Sequence, residues 1–565
     1  MAKTSTLPGM HASRPFSAAV MFAVLAPLSI SGPLPSQGPE RFLLLREYFA
    51  VAATLKVSAS RPPERLASVA LAFLNAEDPE VRGLALTLAA RLGIPKAFPA
   101  LRKAMADPNP EIRRRALIGL GEFGGSRARL VLGNLLNSRN RESRDRALAA
   151  LALGLGSPNG EADSLLGAAL SDLLVFGTRS TDHEYAGCLA GFSKDGGRAA
   201  MIHFLKYGNP ERVQDRRFRD HRLQAFALYT LARRVASREG FVRLRSLGLR
   251  NDSDPDMMRA WAWRGLALRG KKGDRDLERR LVETCLDELR GRKESTAGSA
   301  LLALANLNPD RATELARKAL SRKNSPPSLR IGALILLGRV GGVKDLERVR
   351  NFDPFRRQEK PEDVASLGAS RILAAARIWK RLREAAEKRE KKRGKKGGPG
   401  GDGKKRPKPP PASLDPRPEM LEVLHAPLDA SPLLPTRRAA ALGLALCGGT
   451  IPGTAIDRLL DRTPDPFLLR LLSLLRYHLT PIEKRKDLSP EILAQAGASE
   501  LWDRLPLPPP PGKEDLSPFP KDRVRRALRL AALGLQDLEH CLASRLFDRL
   551  GPYLEHAPFE GLRAW

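Results

Sequence analysis

DPEVRGLALTLAARLG (residues 78–93), NPEIRRRALIGLGEFG (109–124) and NRESRDRALAALALGLG (140–156) are copies of one another, each beginning 31 residues after the last. A period of that size, written in helix-forming residues, specifies a stack of helix pairs rather than a globule around one core. In the first copy Asp78 is an N-cap whose carboxylate can accept from the free N–H groups of the first turn. Pro79 follows at the first helical position, where its missing N–H costs nothing. Val81, Ala85, Leu88 and Leu92 then fall three and four apart and build one apolar stripe, and Gly93 is a natural stop. The stretch from Leu66 to Leu74 has the same period, so the unit is helix, turn, helix. Ala85, Ala116 and Ala147 share one register and let neighbouring helices approach closely.

The pattern Asp-Pro-x-Val-Arg, with Ala three residues on and a Leu-Gly close, resembles HEAT-like repeats, in particular the short kind named for the phycobilisome lyases. Asp78, Pro79, Val81, Arg82, Ala85, Leu92 and Gly93 carry it, and it returns at Pro110, Ile112, Arg113, Ala116, Phe123 and Gly124. Leu329, Arg330, Ala333, Leu334, Leu337 and Gly341 form a further copy; Arg437, Ala440, Leu444 and Gly448 form a weaker one. The resemblance spans roughly 60–378 well and 419–550 loosely, and it implies an all-α fold, an α-solenoid (superhelix) of stacked antiparallel helix pairs. In that family the motif's Asp and Arg form ladders between adjacent units. The resemblance therefore implies that Asp78, Arg82, Arg113 and Arg330 brace repeat to repeat. The second helices of such pairs line the concave face, where Arg114, Arg115 and Arg146 are expected to lie exposed and to favour a partner with an acidic surface. The likeness stops at the repeat motif and implies no pigment attachment.

The chain has 565 residues, too many for one compact core, whereas a solenoid grows by one layer per repeat. Aromatics make up only 5% and no β-alternating run of any length occurs, which argues against a β-rich fold. The formal charge is +33. Two explanations compete: a surface for nucleic acid or another polyanion, or an Arg-rich solvated surface of the kind that accompanies GC-rich bacterial coding. Residues 380–408 hold 14 Lys or Arg against four acids, so +10 of the +33 is local.

Residues 1–36 stand outside the repeats. A positive start (Lys3, Arg14), an uncharged apolar run from Phe16 to Ile30, and small residues Ser29 and Ser31 before Gly32 give the three-part layout of a signal peptide. The run is short for a membrane span, and no second one follows. The expectation is export, to the periplasm or beyond the cell, with no integral membrane segment in the mature chain. The rival reading is an unstructured tail and a cytoplasmic protein.

The main solenoid is expected over 37–378. A basic, Gly- and Pro-rich linker follows over 379–418, with a helical extension that should fail near Gly394. Lys391, Lys392, Arg393, Lys395 and Lys396 are its candidate polyanion contacts, although no aromatics are interleaved to stack on bases. A second helical-repeat block is expected over 419–565, interrupted by the polyproline loop at 505–520.

No residue set for catalysis emerges, and neither a cofactor nor a metal is implied. Cys188, Cys285, Cys447 and Cys541 are far apart and sit in apolar helical patterns, as buried small hydrophobes do. His183-Glu184 is the one His-Glu pair, where the HEAT-like di-iron hydroxylases need four; His183 is expected in a loop. Trp261 and Trp263 lie beside Arg259 and Arg264, a pairing that DNA glycosylases of HEAT-like fold use. Two positions apart, however, they face different sides of a helix, and at least one belongs to the core. The sequence thus predicts a non-catalytic scaffold for protein–protein interaction. A nucleic-acid- or polyanion-associated basic scaffold is the alternative.

Overall fold

The computed structural model describes residues 64–192 (except 158–159 and 177–181), 274–354 (except 291–295 and 323), 360–396, 427–505 (except 429–430, 432, 448–452 and 464) and 521–535. Positions 62, 227, 230, 262 and 263 are described singly. Among these residues every regular element is a helix. In chain order, the first half holds α1 (Glu64–Ala72), α2 (Pro79–Arg91), α3 (Phe98–Ala104), α4 (Pro110–Phe123), α5 (Gly125–Leu136), α6 (Ser143–Leu155), α7 (Asp163–Phe176) and α8 (Asp182–Gly191). After residue 273 come α9 (Arg275–Leu289), α10 (Ala297–Leu307), α11 (Pro309–Ser321), α12 (Pro327–Val340), α13 (Val343–Arg350) and α14 (Pro361–Lys396). The rest are α15 (Leu434–Cys447), α16 (Gly453–Arg462), α17 (Pro466–Leu479), α18 (Pro490–Ala496), the single turn α19 (Leu501–Arg504) and α20 (Lys521–Gly534).

The helix starts follow one local device. Asp78, Asn109, Asn308, Asp465 and Ser489 each stand before a proline at the first helical position and accept a hydrogen bond from a backbone N–H of the first turn. Such a cap contributes about 1 kcal/mol, and the proline pre-sets the helical φ. At the other end Gly93 and Gly124 take φ of 60° and 66°, the left-handed conformation that turns the chain out of α2 and α4.

Two layers result. α2, α4, α6 and α8 pack in succession as a central layer, and α10, α12, α14, α15, α17, α18 and α20 continue it after residue 273. α1, α3, α5 and α7 lie outside the first set, and α9, α11, α13 and α16 outside the second. The central helices are buried on nearly every side: Ala147 to Leu155 of α6 and Leu329 to Gly338 of α12 are buried without interruption. Their composition explains how. A Cβ added to Gly332 would stand 2.7 Å from the carbonyl oxygen of Gly298 on the neighbouring helix, and one on Gly121 would stand 2.8 Å from that of Ala152. A Cβ on Gly154 would run into the backbone of Gly191. Here glycine is required by the close approach of two backbones.

The stack does not stop at the basic segment. α14 runs from 361 to 396 through the expected boundary at 378–379, and it packs on both α12 and α15, so the second block continues the first. It ends at Lys396, two residues past Gly394, near which its end was expected, so Lys391, Lys392 and Arg393 lie on the expected helical extension and Lys395 and Lys396 in its last turn. At the far end α20 packs on α18 and also on α2, so the order of packing returns to its beginning. The proposed leader (1–36), residues 397–418, the polyproline loop and the segment from 551 lie outside the described residues.

Replacing Gly154 or Gly298 by Val should separate adjacent central helices and cost at least about 3 kcal/mol, the upper range for overpacking. The control is Gly125→Ala: no atom lies within 4 Å of the added Cβ. The only strain there is a φ of 79°, so its loss should stay at about 1–2 kcal/mol. Urea unfolding of the three variants measures both.

Candidate functional site: the arginine edge of the central layer

The central helices start along one edge, and arginines in their first turns reach the start of the next helix. In α2, Arg82 donates to the carbonyls of Ala76 (2.6 Å) and Glu77 (3.2 Å) and pairs with Asp107, just ahead of α4, at 3.1 Å. One repeat on, Arg113 donates to the carbonyls of Asp107 (3.1 Å) and Pro108 (3.2 Å) and pairs with Asp145 of α6 at 3.0 Å. Arg146 of α6 then pairs with Glu184 of α8 at 2.6 Å. Arg438 holds Asp465, the N-cap of α17, through two bonds of 2.9 and 2.5 Å. Arg526 of α20 holds Glu491 of α18 at 2.9 and 2.5 Å. Because each bond joins first turn to first turn, neighbouring central helices run parallel with their N-termini together.

Asp78 does two things. It caps α2 by accepting from the N–H groups of Glu80 (2.8 Å) and Val81 (3.2 Å), and it takes the guanidinium of Arg525 from α20. Burial alone would raise its carboxyl, but Arg525 and the two N–H groups outweigh it and hold the group below the ordinary carboxylate value. Arg330 lies in the motif register yet braces differently. It is 2% exposed, and its guanidinium stands 5.8 Å over the ring of Phe352, beyond α13. The outer layer has its own rung: Arg317 of α11 grips Asp345 of α13 at 2.8 and 2.9 Å, and this pairing holds the Asp345 carboxyl low despite burial.

The three arginines expected to be exposed are not. Arg114, Arg115 and Arg146 are half-buried, each in an ion pair within the chain: the first two with Glu111 (Arg115 at 2.8 Å), the third with Glu184. Crowding by the neighbouring units is the reason. Arg146 is a rung of the ladder, and Arg115 lies over Gly83 of α2. Arg139, Arg141 and Arg144 next to them are exposed. The edge nonetheless keeps positive charge: residues 109–115 hold three Arg against one acid, and 139–146 hold four against two. The helix N-termini add partial positive charge at the same place.

His183 stands in the first turn of α8 rather than in a loop, and Glu184 beside it faces Arg146. Cys188, Cys285 and Cys447 are buried thiols outside any disulfide, with burial pushing the Cys188 and Cys447 thiols up to about 12; Cys541 lies outside the described residues. Trp263 is fully buried, whereas Trp261 is outside the described residues. Among the described residues no group of three or more His, Cys, Asp or Glu is placed to hold a metal ion, and no helix is long and apolar enough to cross a membrane.

Residues 67–154, the part holding the three copies and the first rungs, match the family model of HEAT repeats. Over that stretch the chain carries HEAT repeats. HEAT repeats are generally protein-interaction scaffolds and typically non-catalytic. No curated protein matches the chain.

Sequence reasoning on the HEAT motif found Arg82 and Arg113 but missed Arg317, Arg438 and the acceptors Asp145 and Glu184. In the weaker copy the rung moved one place, from Arg437, which donates to the Leu428 carbonyl, to Arg438. The acceptors carry no motif of their own; a lone acid in the first turn of the following copy is the only available signal.

Burial pushes the Glu184 carboxyl above its ordinary value, opposed only in part by Ser143 and Arg146. An acid whose folded value is raised is strained when charged, so the cost is present at neutral pH and fades as the proton binds. Arg146→Ala, which leaves that carboxylate without its guanidinium, should therefore cost about 3 kcal/mol at pH 7. The loss should shrink at pH 5, in urea titrations at the two pH values.

Proposed function

We propose that the protein is a non-catalytic HEAT-repeat scaffold that binds a protein partner with an acidic surface, along the arginine-bearing edge on the concave side of its central helices. The observation that supports this reading is the edge itself. Parallel helix N-termini, spaced one repeat apart, repeat the same positive group in series, and a partner with acids at a matching interval meets several at once. The central helices bury their remaining length, so their first turns are the part left to a ligand. The leader-like sequence of 1–36 supports action after export, which N-terminal sequencing of the mature protein tests: an intact Met1 would sink it.

The partner is recovered by affinity capture on the full chain and then measured against purified variants. Arg114→Ala/Arg115→Ala should weaken its binding about tenfold, mainly through slower association at low salt, with the far-ultraviolet dichroism unchanged. Equal affinity for wild type and variant would show that the edge is structural only.

A second reading rests on α14. Its residues 384–389, about 9 Å of helix, are all exposed, and the helix continues to 396. Arg383 with Glu387 (2.8 Å) and Lys380 with Glu384 (4.0 Å) support it by i,i+4 pairing. In sequence, 388–396 holds seven Lys or Arg against Glu390 alone, which suits nucleic acid or another polyanion. On heparin and on duplex DNA the wild type should be retained at about 0.15 M salt and lost steeply as salt rises. Lys391→Glu/Lys392→Glu/Arg393→Glu should elute earlier from both, and coincident elution would refute this reading.

A further inference from the structure

α20 meets α2 across about 440 residues of sequence, and ion pairs frame the contact at the start of α2. Arg525 and Arg529, one helical turn apart on α20, reach the first turn of α2: Arg525 takes Asp78 and, at 3.1 Å, Glu80, while Arg529 takes Glu80. At the other end of the same two helices Arg91 donates to the carbonyl of Ala532 at 2.7 Å. The apolar residues of α20 are Val524, Leu528, Leu530 and Leu533 with the alanines 527, 531 and 532; Ala527 and Ala531 are fully buried. Arg526, on another side of the helix, is engaged with α18, so α20 is joined by ion pairs to both neighbours.

We infer that the arginine face of α20 is a carboxylate-binding surface whose resident occupant is the chain's own Asp78–Glu80 segment, and that this seam is an ion-pair latch joining the last described helix to the first repeat. The partial exposure of the pairs makes the latch reversible. Glu80 is 41% and Arg529 38% exposed, so counter-ions reach them. Screening shortens the range of such charges from about 8 Å at 0.15 M salt to about 3 Å at 1 M. Two rungs inside the stack differ: Asp465 and Glu184 are each 3% exposed and much less open to ions. Rising salt should therefore part this seam before any of those rungs.

The test uses the full chain, with amide hydrogen exchange read by mass spectrometry over 79–91 and 521–534 and the radius of gyration read by X-ray scattering. In the wild type, protection of both helices should fall at least tenfold between about 0.05 and 1 M sodium chloride, with α4, α6 and α12 unchanged and the radius increased. Arg525→Ala/Arg529→Glu should show the open values already at low salt. Adding Glu80→Arg rebuilds one pair with the charges exchanged, leaves the Asp78 cap intact, and should restore part of the protection. Salt-independent protection in the wild type would overturn the latch. So would a double variant that stays closed, or one that Glu80→Arg fails to reclose, including through loss of helix.

Discussion

Backbone-to-backbone contact in the central layer constrains everything else in this molecule. Helices can lie that close only where the side chains between them are Gly, Ala or Ser, and an added Cβ would strike a neighbour's carbonyl at Gly121 on α6, Gly154 on α8, and Gly298 and Gly332 between α10 and α12, and the Ala374 Cα at Gly338 on α14. The larger side chains are thereby sent outward, where leucines of the central helices meet the outer helices. A layer built in this way is dense and buried on all sides. It leaves functional groups few places to stand other than helix ends and loops.

Charge works within the space that packing leaves. A close-packed row of parallel helices gathers its N-termini, and with them a row of unpaired backbone N–H groups and like-signed dipole ends. Asp78, Asn109 and Asp465 satisfy the first; the acids at 107, 145 and 184 neutralise both the dipoles and the arginines that reach across. Such pairs add little net stability where they are wet and are costly to break where they are dry. Their stronger effect is on register. A helix slipped by one turn would move a guanidinium away from its carboxylate and leave the acid buried alone.

Much of this was legible in the residues. The period of 31, the Asp-Pro and Asn-Pro starts and the Ala register were enough for the helix pairs and their stacking, because all three are local signals. Arg82 and Arg113 were legible as braces for the same reason. The path of the whole stack was not. No local pattern tells that α20 returns to α2, since the arginines at 525 and 529 read like those at any other helix start. Nor could the exposure of Arg114, Arg115 and Arg146 be read, because it depends on how tightly the next unit crowds the first turn. The end of α14 was legible from Gly394 to within a turn; the flanking lysines, whose charge favours the C-terminal end of the helix dipole, carry the helix two residues further.

The return of α20 to the first repeat has a consequence for how the molecule is made. Arg91 emerges from the ribosome 441 residues before Ala532, whose carbonyl it binds. At ordinary elongation rates that interval lasts from about 20 s to about 90 s. For that time the flank of α2 is a bare lateral surface on an otherwise growing stack. The nascent chain must be kept from pairing that surface with a sister polypeptide on the same message, and the acids at 78 and 80, wet and negatively charged until α20 appears, supply some of that protection.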